Sequence, residues 1–178
     1  MEILEKLEKI IEGCGAFECG RIAPEKVSFM PEVRSMCEVN SCGTYGTRWI
    51  CPPGIGSIED CRRRCLEYQT MLVFTGKYEL EDSFDYEGMI EGIDRFKKMV
   101  RMIDKAVNPL LTTYLLLGNE GCDLCETCTY PAAPCRFPQK VHPPIESMGI
   151  MVSELAKQIG IKYINGKNTI TYFGALLF

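Results

Sequence analysis

MLVFTG (residues 71–76) and TYLLLG (residues 113–118) are two short apolar runs, each closed by glycine, of the length and composition that a buried strand carries. Between them, after an acidic loop, Tyr86, Met89, Ile90, Ile93, Phe96, Val100, Ile103 and Val107 mark one face of a long helix, which Asn108-Pro109 ends. A strand, a helix of this length and a second strand predict parallel neighbours joined by a right-handed crossover. The fold class is therefore α/β, with α+β as the alternative, built on a small mixed sheet.

Upstream, Ile3, Leu4, Leu7, Ile10 and Ile11 follow helical spacing until Gly13 and Gly15 stop it. The chain is then polar and irregular to Pro31, apart from Val27 to Met30, a short segment compatible with a strand. Residues 37–56 read as a structured loop. Ser57 and Asp60 form a capping box for a short helix with Ile58, Cys61, Cys65 and Tyr68 on one face. Downstream, residues 119–144 are again loop-like. Ile145, Met148, Val152, Leu155 and Ile159 mark a third helix ended by Gly160, and IKYINGKNTITYFGALLF reads as a hairpin turning at Asn165-Gly166. One domain over residues 1–178, carrying two cysteine-rich loops at about 37–56 and 119–144, accounts for the pattern. Each loop is too long and too rich in Pro and Gly to be a passive connection, so something else must order it.

The chain has 178 residues, 46% hydrophobic and 25% charged, enough apolar surface for a core. With 20 Lys and Arg against 24 Asp and Glu, the net charge of −4 argues against a nucleic-acid wrapper or a polybasic membrane binder. No run approaches the roughly 20 apolar residues of a membrane span, and the charged amphipathic start is unlike a signal peptide. A reducing cytoplasm is the expected location. Eleven cysteines, an odd number, cannot all pair in disulfides, and in that compartment clustered cysteines read as metal ligands or redox centres.

CDLCETC sets Cys122, Cys125 and Cys128 at two-residue intervals, and Cys135 follows in PAAPCRFP. Such a run wraps three thiolates around three corners of a cubane, aims backbone N–H groups at the sulfides, and takes its fourth ligand from further along beside a proline. Six residues separate Cys128 from Cys135, where bacterial ferredoxins have three, so the fourth ligand is the least certain of the set. Structural zinc pairs two knuckles across a longer spacer; iron–sulfur suits this run better, with zinc as the alternative.

CEVNSCGTYGTRWICPPG supplies Cys37, Cys42 and Cys51 at a spacing that fits no common zinc knuckle. Gly43 and Gly46 allow the backbone to curl round a ligand, and Tyr45 and Trp49 are candidates to shield it. A closed site needs a fourth donor. Cys61 is the first candidate, nearer the capped helix end than Cys65, although both also fit a buried stripe. In a swapped partition Cys135 would complete this site instead, leaving Cys122, Cys125 and Cys128 open. Cys14 and Cys19, between glycines, read as unpaired thiols near a turn. Arg48 and Arg136 each adjoin a ligand motif, where a positive charge offsets a net-negative thiolate-bound cluster. His142, the only histidine, reads as an ordinary loop residue, with ligation or proton shuttling as the alternative.

CGTYGTRWICPPGIGSIEDC, the CDLCETC and CRFP segments, HPPIESMGIMV and NTITYFGALLF together resemble the predicted metal-binding family known as domain of unknown function 2284. The resemblance spans nearly the whole chain and implies metal binding, an anaerobic cytoplasmic setting, and a ligand role for Cys37, Cys42, Cys51, Cys122, Cys125, Cys128 and Cys135. It implies no reaction. The first expectation is two [4Fe–4S] clusters passing electrons to a redox partner protein. The second is an enzyme or maturation factor with an open three-cysteine cluster for small-molecule or sulfur chemistry. The third is a zinc-stabilised interaction module. Oligomeric state is not written in the sequence.

Overall fold

A strand whose side chains alternate between two covered faces must be apolar at every position. Met71, Val73, Leu72 and Phe74 show this directly: all four are fully buried, the first two in one core and the last two in another. The computed structural model describes residues 2–178. In chain order it contains α1 (Ile3–Gly13), β1 (Cys19–Ile22), a 3-10 turn, α2 (Pro31–Val39), α3 (Ile58–Cys65), β2 (Met71–Glu79), α4 (Tyr86–Val107), β3 (Leu115–Leu117), a 3-10 turn at Glu146–Met148, α5 (Val152–Ile159) and β4 (Thr169–Leu177).

The four strands form one antiparallel sheet in the order β1-β2-β4-β3. Helices α1 and α4 cover one face through Leu7, Ile11, Phe96, Val100 and Ile103. The other face is covered by α3, α5 and the 145–150 segment, through Cys61, Cys65, Leu155, Ile145 and Met148. The chain is thus mixed α/β, as expected. The crossover expectation is corrected in one respect. β2 and β3 do run parallel to each other, but β4 lies between them and pairs with both. The apolar runs MLVF and LLL report that both faces are covered; they do not say which strand is the neighbour.

Other boundaries also move. The stripe from Ile145 to Ile159 is broken: Gly149, at φ 84°, separates the 3-10 turn from α5. The C-terminal hairpin has one strand only. Residues 161–168 instead fold back over β4, with Asn165 Nδ2 donating to Thr171 Oγ1 at 2.9 Å and Tyr163 stacked on Phe173 at 5.8 Å. Val27 to Met30 makes a single bridge, Phe29 to Ile150, rather than a strand. Residues 31–39, which include the first three residues of the expected 37–56 loop, form α2, with Pro31 in its first turn and Asn40 in the left-handed conformation at its end. The Ser57–Asp60 capping box is present with both reciprocal bonds. Among the described residues no helix is long and apolar enough to cross a membrane.

Two consequences can be measured. A Cβ on Gly174 would lie 2.5 Å from the Phe74 ring and 3.0 Å from the Leu117 carbonyl oxygen, so only glycine lets β4 sit between its partners. Gly174→Val should lower stability by about 1–3 kcal/mol, read from the urea midpoint. Burial pushes the Cys65 thiol up from 9.0 to about 12, with the charge of Cys61 adding to it. The unfolded chain loses this proton near pH 9 and the native chain keeps it, so the stability contribution is whole below pH 9 and disappears as pH climbs towards 12. Alkylation at pH 8 followed by mass spectrometry should leave Cys65 unmodified in the native protein and modify it in urea.

Candidate metal centre

The second cysteine loop leaves the fold and returns through one narrow neck. Gly118 N–H donates to the Pro143 carbonyl at 2.9 Å, and Ile145 N–H donates back to the Gly118 carbonyl at 3.1 Å. Between these points, α4 serves as the platform. Lys97, Arg101 and Asp104 recur at helical spacing on its polar side. Lys97 Nζ donates to the Gly121 carbonyl at 2.9 Å and lies 3.8 Å from Asp123, and Arg101 also pairs with Asp123. Asp104 meets His142 Nε2 at 3.5 Å and accepts from the Tyr114 hydroxyl at 2.6 Å. The His142 contact is foremost in holding the Asp104 carboxyl below its ordinary range. His142 thus lies beside Asp104 where the loop returns to α4, with its Nε2 making no hydrogen bond.

With its ends fixed in this way, the loop brings Cys122, Cys125, Cys128 and Cys135 around one narrow cavity that Arg48 and Arg136 also line. Arg136 donates from Nη1 to the Thr127 carbonyl at 3.0 Å, bracing the turn between Cys125 and Cys128. Burial raises the Cys122 thiol, a backbone hydrogen bond from Leu124 opposes it, and the nearby Cys135 and Arg48 push in opposite directions.

The first group assembles differently. Cys37 stands in the last turn of α2, so the loop proper begins at Asn40, whose side-chain oxygen accepts from Tyr45 N–H at 3.0 Å. Gly43 and Gly46, at φ 72° and 68°, curl the chain. Thr44 Oγ1 then lies 3.1 Å from Cys42 Sγ and 3.5 Å from Cys51 Sγ, so one hydroxyl gathers both sulfurs. Cys37, Cys42 and Cys51 line a cavity of about 360 Å³ whose remaining walls include Asn119, Glu120, Glu146 and β4 residues. Burial raises Cys37 and Cys51; Arg34 opposes it at the first, and the Thr44 hydrogen bond and Arg48 oppose it at the second. Glu146 is an exposed residue that lines the cavity, and the surrounding protein pushes its carboxyl up to about 6.

The two loops, distant in sequence, lock together. Trp49 meets Tyr130 edge-on at 4.9 Å and donates from Nε1 to the Ala133 carbonyl at 3.0 Å. A Cβ on Gly121 would come within 2.8 Å of the Thr44 methyl and 3.2 Å of Arg48 Nε, and one on Gly54 within 2.9 Å of the Tyr130 ring. Trp49 thus acts as a seam between the loops. Arg48 lies at that seam, lining the four-thiol cavity while its charge favours the thiolates of both Cys51 and Cys122. Its Nε is buried with no protein partner.

Cys61 is not brought to either group. It is fully buried in the core below the sheet, 3.8 Å from Arg34 Nη2, and lines neither cysteine cavity. Arg34 itself donates to the Gly56 and Ser147 carbonyls, at 2.7 and 3.0 Å, and keeps a buried Nε without a partner. Cys65 shares that core. Cys14 caps α1 and Cys19 lies on β1, both half-buried against the opposite core. All eleven cysteines are free thiols. Among the described residues no three His, Cys, Asp or Glu side chains converge closely enough to hold a single metal ion. Lys97, Arg101 and Asn119 were not expected at the site. The first two were legible as the polar side of a helix whose apolar side drew the attention; Asn119 carried no signal, because its place depends on the neck at Gly118.

The chain matches, over residues 20–178, the family described as "Predicted metal-binding protein (DUF2284)". No curated protein matches it. Among solved structures, epoxyqueuosine reductase from Streptococcus thermophilus is similar at 12% identity with a TM-score of 0.45, over 99% of this chain and 46% of that one. The chain therefore spans less than half the length of that protein.

Since Trp49 is the only tryptophan, its emission reports on the seam. Removing bound metal with a chelator should shift that emission to the red as the loops part. Trp49→Ala should lower metal retention and stability together, the latter by about 2 kcal/mol for one aromatic pair and one hydrogen bond. Unchanged urea midpoint and metal content in that variant would show that the seam does not hold the loops.

Proposed function

The chain belongs to this family of predicted metal-binding proteins, and from that premise we propose an iron–sulfur protein with one closed and one open cluster. Cys122, Cys125, Cys128 and Cys135 would hold the closed cluster. Cys37, Cys42 and Cys51 would hold the open one, whose fourth position faces the cavity lined by Asn119 and Glu146. The function is then redox chemistry on a small molecule, with single electrons supplied by a reduced partner protein and relayed through the four-thiol loop. The observation that carries this reading is the division of the seven motif cysteines: four around one narrow cavity, three around a larger one.

The donor set fits the group. Thiolates are the soft ligands that iron–sulfur clusters take, and such clusters supply one-electron transfer when bound. A net-negative thiolate cluster would find Arg48, with its unpartnered Nε, and Arg136 beside it. A purely electron-carrying reading needs an eighth thiol, and the burial of Cys61 and Cys65 in the core speaks against either supplying it.

Anaerobically purified protein should be brown, bleach on reduction, and contain about eight iron and eight sulfide per chain. Cys135→Ser should lose the closed cluster and Cys51→Ser the open one, each about halving the iron, while Cys61→Ser should keep both. A colourless, zinc-loaded protein would overturn the reading.

A further inference from the structure

The wall of the cavity beside Cys37, Cys42 and Cys51 holds a buried polar group with no partner. Asn119 is only 8% exposed, lines the cavity, and has no partner for either its Nδ2 or its Oδ1. A buried amide with both ends unpaired loses the free energy of two hydrogen bonds unless a ligand restores them. The next residue, Glu120, holds φ 58°, a left-handed conformation that non-glycine residues adopt at a cost. The local chain is thus strained next to the buried amide.

The surrounding chemistry narrows the ligand. The cavity wall carries two carboxyl side chains, Glu120 and Glu146, and no Lys, Arg or His. Three thiolates would add further negative charge. Phosphorylated or carboxylated molecules are therefore repelled, and neutral N–H donors are favoured. The wall is also aromatic: Tyr45, Tyr163, Tyr172 and Phe173 line it, with Tyr163 stacked on Phe173. A carboxamide binds in bidentate fashion to an edge that offers an amino group beside a ring nitrogen, and flat rings stack on such walls. The cavity of about 360 Å³, part of which the open cluster would take, is in the range of small-molecule sites.

We propose that this cavity binds an uncharged aromatic nitrogen heterocycle with an exocyclic amino group, its amino and ring-nitrogen edge held by Asn119 and its face by the aromatic wall. The assignment names the substrate class for the open site and rests on that reading for the ligand's redox role.

The test is equilibrium dialysis or calorimetry on the anaerobically purified full chain, with iron counted in every sample. Adenine and cytosine, which carry the required edge, should bind. Unsubstituted purine, which lacks the amino group, and AMP, which adds a phosphate, should each bind at least about tenfold more weakly than adenine. Asn119→Ala should weaken adenine by a similar factor at unchanged iron content, and adenine should alter the EPR signal of the wild-type protein. The ligand series uses unaltered protein, so a variant that fails to fold leaves the test intact. Binding of neither base, purine equal to adenine, or AMP equal to adenine would overturn the ligand class, even with full iron content. Iron-free protein that still discriminates adenine from purine and AMP would uphold the ligand class and overturn the cluster reading instead.

Discussion

The packing of one cysteine loop on the other is the contact on which the site depends. Residues 40–57 and 119–142 contribute no strand to the sheet, so neither is held by a backbone ladder. They are held by Trp49 against Tyr130 and Ala133, by Thr44 and Arg48 against Gly121, and by Tyr130 against Gly54. Two of these contacts are possible only because a glycine leaves room. The seam also explains the division of thiols: it sets Arg48 between the groups, so that one guanidinium serves both.

Below the seam, each loop is tied to the fold at points that share a direction. α4 holds the second loop through Lys97, Arg101 and Asp104, while α2 delivers Cys37 and the 3-10 turn delivers Glu146 and Ser147. The break at Gly149 matters here. An unbroken helix from Ile145 to Ile159 would carry these side chains round its axis, whereas the separate turn sets Glu146 and Ser147 in the cavity wall. The return of residues 161–168 over β4 adds Tyr163 to the aromatic wall in the same way.

Local chemistry was legible in the sequence and long-range partnership was not. The capping box at Ser57 and the ends of α4 depend on residues a few positions apart, and the structure agrees with each. The neighbour of β2 could not be read, because MLVF is the pattern of any strand covered on both faces. Cys61 reads two ways for a similar reason: one turn from Cys65 on a helix, it fits a ligand pair and a core stripe equally, and the structure places it in the core. α2 was missed although Pro31 and Asn40 bracket it, since only Val33 of its nine residues is buried and the apolar periodicity is correspondingly faint. The docking of the loops left no trace in either loop, because each of its contacts joins residues more than seventy positions apart.

The position of β4 has a consequence for the order of events in synthesis. β2 and β3 are both made before residue 118, yet neither has its principal partner until residues 169–177 have emerged. Until then β2 has only the four-residue β1 beside it, and the hydrophobic faces of α4 and α5 have no complete sheet to cover. Contacts of such separation form late, after the cost of closing the intervening chain has been met. All the motif cysteines are therefore translated while the walls of the larger cavity do not yet exist. Assembly of any metal centre there follows the chain's final strand, and a cell making this protein must keep seven thiols unoxidised through that interval.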